Sequence, residues 1–528
     1  EGLPLALTMA LTIASNKMAK KNVIVRKLKS AESLGSCTVI ASDKTGTLTV
    51  NEQTAKKIVL PDDTSFDIEG IGYNGEGKVI PKDNANIEDA KFISLLGYIN
   101  NEADLRKEKN KWKYQGDSID IAFLSLGYKL NVENEKYEML GTIPYESENK
   151  FSAAFFKYND KELCTVKGSL EVILEFCNTM NSNGKKVSIN KEDIIKQNEL
   201  LASDGFRVIA LAEGEFKNYD VNKEYTNKDI KNLNFVGLVA FIDPIREETI
   251  GSITQCRNSG IKTVMITGDH PLTAFAIAKQ LGISDDFKQV TNGDEIEKYL
   301  DKGHDEFDKF IKTKTVFTRV TPIQKLEIVN SYIRQNEFVA VTGDGVNDAP
   351  AIKAANIGIA MGSGTDVAKE TADMIIIDDD FNSIVAAVKE GRNAYKNIRK
   401  VVYFLISCGF AEVLFFILST IFNLPMPLVA IQLLWINVVT DGLQDFALSF
   451  EQEGDEVMSE KPMNSKHSLF NELLIKEILI SGLYTGVVIF VVWSQLLKHM
   501  DIEVARGYIM ALMVFIQNLH VLNCRSES

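Results

Sequence analysis

Asp43-Lys44-Thr45-Gly46-Thr47-Leu48-Thr49 is the stretch that decides how this chain is read. The residues before it, Cys37-Thr38-Val39-Ile40-Ala41, form an apolar run that predicts a short buried strand. A carboxylate at the C-terminal end of a strand, followed at once by Gly and small hydroxyl residues, is where an open α/β sheet holds a reacting phosphate. Asp43 is therefore a candidate nucleophile, with backbone N–H groups after it to hold phosphate oxygens. A polar loop is the plainer reading of Asp-Lys-Thr alone; all seven residues together are much rarer by chance.

The chain has 528 residues, enough for roughly three or four domains. Its 45% hydrophobic and 25% charged content is ordinary for a globular protein. That average hides a split: residues 1–15 and about 400–522 are apolar, and the middle is rich in Lys, Asp and Glu. The split predicts a large soluble part attached to a segment embedded in the lipid bilayer. A net charge of −14 argues against a nucleic-acid partner. The six cysteines are scattered without a CxxC pair and read as reduced thiols of a cytosolic body. The five histidines show no metal-ligand spacing. The first residue is Glu1 rather than Met, which fits a piece of a longer chain.

Residues 1–15 are too short to span a bilayer alone, which takes roughly 20 residues, and suit the end of a longer span. Lys17, Lys20, Lys21, Arg26, Lys27 and Lys29 follow, as expected on a cytoplasmic flank. Residues 52–242, with their polar turns and alternating stretches such as Phe151–Phe156, predict an inserted α+β domain. Residues 238–398 return to strand–helix alternation, which predicts a parallel sheet covered on both faces. Asp43 is expected at the end of one strand of that sheet. Four spans are expected after it, at 401–422, 428–450, about 473–497 and about 504–522. Lys396, Arg399 and Lys400 place the start of the first of these in the cytoplasm.

Three more motifs belong with Asp43. Thr267-Gly268-Asp269 follows one strand candidate, Thr342-Gly343-Asp344-Gly345-Val346-Asn347-Asp348 follows another, and Lys325 ends a run containing Arg319. Bringing a phosphoryl group to a carboxylate joins two anions, which Mg²⁺ must neutralise through a few carboxylates, water and phosphate oxygens. Asp344 and Asp348, four residues apart across a turn, can both face the nucleophile, and Lys325 suits a point charge on phosphate. Singly these motifs are weak. Together, in this order, they resemble the haloacid-dehalogenase-like phosphotransferases, and the seven residues at 43–49 match the phosphorylation signature of P-type ATPases.

The resemblance covers essentially the whole chain and implies a haloacid-dehalogenase-like (Rossmann-like) α/β phosphorylation domain in two parts, 16–51 and 243–398. It implies an inserted α+β nucleotide-binding domain at 52–242, half of a fourth transmembrane helix at 1–15, and transmembrane helices five to eight at 399–528. By the same resemblance Asp43 is the phosphorylated residue, and Asp43, Thr45 and Asp344 hold Mg²⁺. Thr267, Gly268, Asp269, Lys325, Asn347 and Asp348 complete the catalytic set. Thr45 stands where phosphatases of the superfamily carry a general-acid Asp, so a long-lived phosphoenzyme is expected. Asp243-Pro244-Ile245-Arg246 resembles the family's hinge, with Ile in place of a second Pro. The Thr-Gly-Glu loop that dephosphorylates such pumps does not occur here. The implied whole is a multi-pass protein of a prokaryotic plasma membrane, its catalytic domains cytoplasmic. The same resemblance implies that the first spans, the dephosphorylating domain and the last spans are expected outside these 528 residues.

No P-loop occurs, so ATP must be held otherwise. Lys167-Gly168 follows a strand candidate, where the Gly allows close approach of a purine and the Lys stem covers it with its charge near phosphate. The family resemblance makes this pair the adenine pocket. It adds Tyr145 in place of a stacking Phe, Lys150, Arg207 and Arg319, and puts Asp120 where the family has a Glu.

Ionisable groups inside spans are functional candidates by default. Glu1, Glu412 and Asp441 are carboxylates that can converge at mid-membrane, which suits a hard divalent cation. Asn437, Thr440 and Asp441 fall on one face of a helix. LLWINVVTDGL resembles the calcium pumps of the sarcoplasmic-reticulum type, which makes Glu1, Glu412, Asn437, Thr440, Asp441 and Gln517 the expected ligands of a transported cation, most simply Ca²⁺. Gly409 replaces an Asn ligand of those pumps, Gln517 replaces a Glu, and Asp445 adds a carboxylate. One Ca²⁺ per cycle, Mn²⁺, Na⁺, or an H⁺/K⁺ variant stay open, as does a membrane-anchored phosphatase.

Overall fold

In a computed structural model, the described residues are 3–82, 85–109, 111–146, 148–182, 185–216, 220, 225–451, 454–462 and 470–525. The strand predicted before Asp43 is Val39–Asp43. It lies fourth from one edge of an eight-stranded sheet, between Val339–Gly343 and Lys262–Thr267, and runs parallel to both. Only the edge strand Val23–Val25 is antiparallel to its neighbour. Both faces are buried: Ile40, Met265 and Ala340 face one apolar cluster, and Val39, Ala41, Val264 and Val341 face the other. Such burial on both sides is why these strands read as continuous apolar runs rather than alternations.

Residues after the Asp43 motif leave this sheet and build a second one. Its main path is antiparallel and includes Thr54–Val59, Leu233–Ile242, Arg207–Glu215, Lys161–Gly168 and Phe151–Tyr158. The entering strand Thr54–Val59 pairs with the leaving strand Leu233–Ile242, so the insertion begins and ends at one place. Where the chain crosses, Thr49 bridges Ile245, Val50 N–H donates to the Pro244 carbonyl, and Arg246 N–H donates to the Leu48 carbonyl.

The expected first span proves to be part of a 41-residue helix, Phe381–Ile421. It starts beneath the parallel sheet, capped by Asp380, whose side chain accepts from Asn382 N–H at 2.9 Å. Arg392 on this helix is 5% exposed and donates to the carbonyls of Ser259, Val457 and Glu460. These bonds tie the helix to the sheet domain and to the 454–462 loop. The helices Leu3–Ala19, Glu472–Leu496 and Ile502–Arg525 pack around its apolar half.

Among the described residues three helices, not the four expected spans, are unbroken, long and apolar enough to cross a membrane: Phe381–Ile421, Glu472–Leu496 and Ile502–Arg525. The expected span at 428–450 is an α-helix, Ala430–Trp435, a π-helical turn, Ile436–Thr440, and a second α-helix, Asp441–Ser449. A π turn inserts an extra residue per hydrogen bond and shifts the faces that follow it. The one-face reading of Asn437, Thr440 and Asp441 assumed a regular α-helix through this turn. Thr440 and Asp441 are buried, and Asn437 lies on the open side.

Candidate active site

The parallel strands place three motifs side by side. Asp43 ends the Val39–Asp43 strand, Thr267 ends one neighbour, and Gly343 ends the other just before Asp344. Lys325 comes from the helix Pro322–Arg334 and is 3% exposed. Its Nζ donates to Asp43 Oδ2 at 3.2 Å and to Asp348 Oδ1 at 2.8 Å. Burial alone would depress this ammonium, but the two carboxylates outweigh it and hold Lys325 above its ordinary range. Asp348 Oδ2 accepts from the N–H groups of Asp344 and Gly345, both at 3.1 Å. Burial works to raise Asp348, yet Lys325 and these amides hold it below the usual carboxylate range. Asp348 therefore orients Lys325 and the Asp344 loop.

Asp344 behaves in the opposite way: burial first, then the charges of Asp43 and Asp348, push its carboxyl up. Three carboxylates thus share one ammonium, an excess of negative charge that fits a divalent cation. Among the described residues no three His, Cys, Asp or Glu side chains converge as a metal cage. Mg²⁺ held by two carboxylates, water and phosphate needs none. Asp43 Oδ1 accepts from Thr45 N–H at 3.3 Å, and the following Gly46 has φ +74°, a turn that favours glycine. Thr267 is buried, its Oγ1 accepting from Asp269 N–H at 3.1 Å. Gly268, Asn347 and Arg319 are exposed around the mouth.

Sequence reasoning assigned no role to Lys44. It is buried, 2.9 Å from Asp269 and 3.8 Å from Asp243. Asp243 accepts from Thr49 Oγ1 at 2.5 Å and from Asn51 N–H at 2.8 Å. Burial holds its carboxyl above the ordinary range against these partners. Lys44 thus joins the nucleophile loop, the Thr267 motif and the hinge. The only signal for this in sequence was its place between two residues of the motif.

The inserted domain contains a cavity of about 520 Å³ lined by Asp120, Tyr145, Lys150, Lys167, Gly168 and Arg207, six of the seven expected nucleotide residues. Glu102 and Asp117, which sequence reasoning missed, also line it. One expectation needs correction. The Lys167 ammonium is not free to lie beside a phosphate: it pairs with Asp120 Oδ1 at 2.5 Å, donates to the Asn100 carbonyl, and lies over the Phe123 ring. Burial pulls it below its ordinary range against the pull of Asp120. Asp120, in turn, is committed to Lys167 and to Glu102 N–H at 3.0 Å. Gly168 is needed for close approach, since a Cβ there would stand 2.4 Å from the Lys150 carbonyl oxygen and 2.8 Å from Phe151 Cα. Gly168→Val should spread these strands and weaken binding of a fluorescent ATP analogue by about tenfold, with a stability loss of about 1–3 kcal/mol.

The membrane part divides the expected cation ligands. Glu412 and Gln517 line a small cavity of about 20 Å³, with Ser407, Ser481, Thr485 and His520. Asn437, Asp441 and Asp445 line a larger one of about 680 Å³, with Gly409 and the helix Leu3–Ala19. Asn437 Nδ2 spans the two with a long 3.5 Å contact to Glu412 Oε2. Thr440 is buried between turns and lines neither. Glu1 lies outside the described residues. Glu412 and Asp441 thus line neighbouring cavities that the Asn437 side chain links. Glu412 Oε1, Thr440 Oγ1, Asp441 Oδ1 and Gln517 Oε1 are nevertheless all buried without a hydrogen-bond partner.

A nucleophile-bearing strand end flanked by a Thr and an Asp from adjacent parallel strands, with a buried Lys across it, defines a haloacid-dehalogenase-like phosphotransferase domain. Comparison with known proteins agrees: residues 321–388 match haloacid dehalogenase-like hydrolases, 91–248 the cytoplasmic domain N of P-type ATPases, and 425–528 the C-terminus of cation-transporting ATPases. The chain is 38% identical to calcium-transporting ATPase 1 of Bacillus cereus, over 89% of this chain and 51% of that protein. It is 35% identical to a calcium-transporting ATPase of Bacillus subtilis, over 100% and 60%. It is 34% identical to the cation-transporting ATPase pma1 of Synechocystis, over 99% and 59%. The chain belongs to the P-type ATPases and is a membrane protein. It spans between half and two thirds of the length of these relatives.

Proposed function

We propose that this chain is the phosphorylating, nucleotide-binding and ion-binding part of an ATP-driven cation pump, and that the cation is Ca²⁺. The observation that carries the reading is Lys325 held between Asp43, at the end of one strand, and Asp348, in the turn that follows the adjacent strand. Asp43 attacks the γ-phosphorus of ATP through a side-chain oxygen. A bond forms between its Oδ and phosphorus, the bond to the β-phosphate oxygen breaks, and ADP leaves with that electron pair. Lys325 neutralises charge between nucleophile and phosphoryl group. Thr267 and Gly268, at the end of the strand beside Asp43, bind a phosphate oxygen. Mg²⁺, which Asp43, Asp344 and the Thr45 carbonyl would hold, offsets negative charge on the transferring group. With Thr45 two residues after the nucleophile, no acid or base is provided to hydrolyse the product, which favours a stored phosphoenzyme over a phosphatase.

Residues 52–242 act as the nucleotide domain, and 16–51 with 243–398 as the phosphorylation domain. The natural setting is a prokaryotic plasma membrane, with these domains in the cytoplasm. Calcium is supported by the names of the Bacillus relatives and by buried carboxylate, amide and hydroxyl oxygens without partners, the ligand type of a hard cation. A second reading, another cation such as Mn²⁺, Na⁺ or an H⁺/K⁺ pair, draws on Gly409 and Gln517, neither of which offers a carboxylate.

The test is to incubate the full-length protein with ATP labelled at the γ-phosphate. A cation-dependent label that survives acid and is released by hydroxylamine is the expected result. Rapid turnover of small phosphomonoesters with no trapped label would replace the pump with a phosphatase.

A further inference from the structure

Asp445 has no part in the phosphorylation chemistry, and among the described residues nothing donates a hydrogen bond to its buried Oδ1, although it sits in the membrane part of the molecule. It lies one turn after Asp441 on the helix Asp441–Ser449 and is 3% exposed. Its Oδ1 is buried with no hydrogen-bond partner, while its main-chain carbonyl accepts from Ser449 Oγ at 2.8 Å. The side chain faces the 680 Å³ cavity that Asp441 and Asn437 also line. Across this cavity stands Gly409, where an added Cβ would meet nothing within 4 Å. The long helix thus contributes empty space where the opposite helix contributes two carboxylates. An uncompensated buried carboxylate is costly in a low-dielectric setting and calls for a cation or a donor. Among the described residues lining the cavity there is no Lys, Arg or His.

We infer that Asp445 is a direct ligand of the transported cation, and that with Asp441 it forms a cation subsite displaced from Asp441 by up to about 6 Å along the broken helix toward its cytoplasmic end. The displacement follows from four residues of helical rise between Asp441 and Asp445. Oxygen ligands from two carboxylates suit a hard cation, with water filling the space beside Gly409. Gln444, beside Asp445, donates from Nε2 to Asn518 Oδ1 at 2.7 Å, which fixes this turn against the helix Ile502–Arg525.

This inference rests on the cation-pump reading above, and its test separates the two. In the full-length protein, cation-dependent labelling from ATP is titrated with Ca²⁺ and Mn²⁺ for the wild type, Asp441→Asn, Asp445→Asn and Asp445→Glu. The expected result is a loss of apparent affinity of about ten- to a hundredfold for Asp445→Asn, partly restored in Asp445→Glu. Binding of a fluorescent ATP analogue reports that each variant is folded. If Asp441→Asn loses cation dependence and Asp445→Asn titrates like wild type, Asp445 is not a ligand and the pump reading stands. If labelling is cation-independent in the wild type, the pump reading itself is overturned.

Discussion

Asp43→Asn should abolish the acid-stable label from ATP, by at least about four orders of magnitude, and leave the protein folded. The amide is the same size as the carboxylate and keeps an oxygen in place to accept from Thr45 N–H. It lacks the anionic lone pair that attacks phosphorus, so the covalent intermediate cannot form. The electrostatics of the site sharpen the expectation. Asp43, Asp344 and Asp348 crowd one ammonium, and Asp43 is among the charges that push the Asp344 carboxyl up. Removing one of these negative charges relieves repulsion, so thermal unfolding should be unchanged or slightly later. Affinity for an ATP analogue should be equal or higher, because the γ-phosphate then approaches a neutral group. Normal labelling in this variant would place the acceptor on another residue.

Lys325→Met should act in the other direction on both properties. The methionine roughly fills the volume of the Lys stem but leaves buried Asp348 and half-buried Asp43 without the cation between them. Removing one partner of such a buried pair costs about 3–5 kcal/mol. The unfolding midpoint should therefore fall clearly. The rate of labelling should drop by about a hundred- to a thousandfold, in line with loss of one preorganised electrostatic contact to a transferring group. Lys325→Arg should not rescue it, since the planar guanidinium needs a forked geometry that two carboxylates on opposite sides of a point charge do not offer. Adding Asp348→Asn to Lys325→Met should recover part of the stability but none of the rate. If the double variant is no more stable than the single one, the two residues are not coupled as their 2.8 Å contact implies.

The strand ends were readable because the chemistry and the fold coincide there. Val39–Ala41, Val264–Ile266 and Val339–Val341 are short apolar runs, each followed by one Ser or Thr and then by Gly or a carboxylate, and parallel burial on both faces writes the apolar part of that pattern directly into sequence. What sequence did not carry depends on three-dimensional partners. Lys44 looks like any loop lysine until Asp243 and Asp269, over 190 residues later in the chain, are brought to it. Lys167 offers a charge on paper and spends it on Asp120 in the fold. The first twenty residues of the long helix read as a soluble segment because Lys389, Glu390, Arg392 and Lys396 interrupt its apolar pattern. Only the bonds of Arg392 to three separate carbonyls explain a charge in that position. In the membrane part, a composition that looked like one span concealed a π turn, which leaves Asn437 on the open side while Thr440 and Asp441 are buried.

The 41-residue helix is also a mechanical part. Phe381, under the phosphorylated strand's sheet, and Glu412, in the membrane, are about 46 Å apart at the rise of an α-helix. Described residues inside it contain no proline at which it could fold. Such a rod behaves as a lever arm: a tilt of about 5° at the cytoplasmic end carries Glu412 through about 4 Å over that length. That travel exceeds a Ca²⁺–oxygen bond length of about 2.4 Å, so under the proposed function a small rotation of the sheet would be enough to pull this side chain off a bound cation.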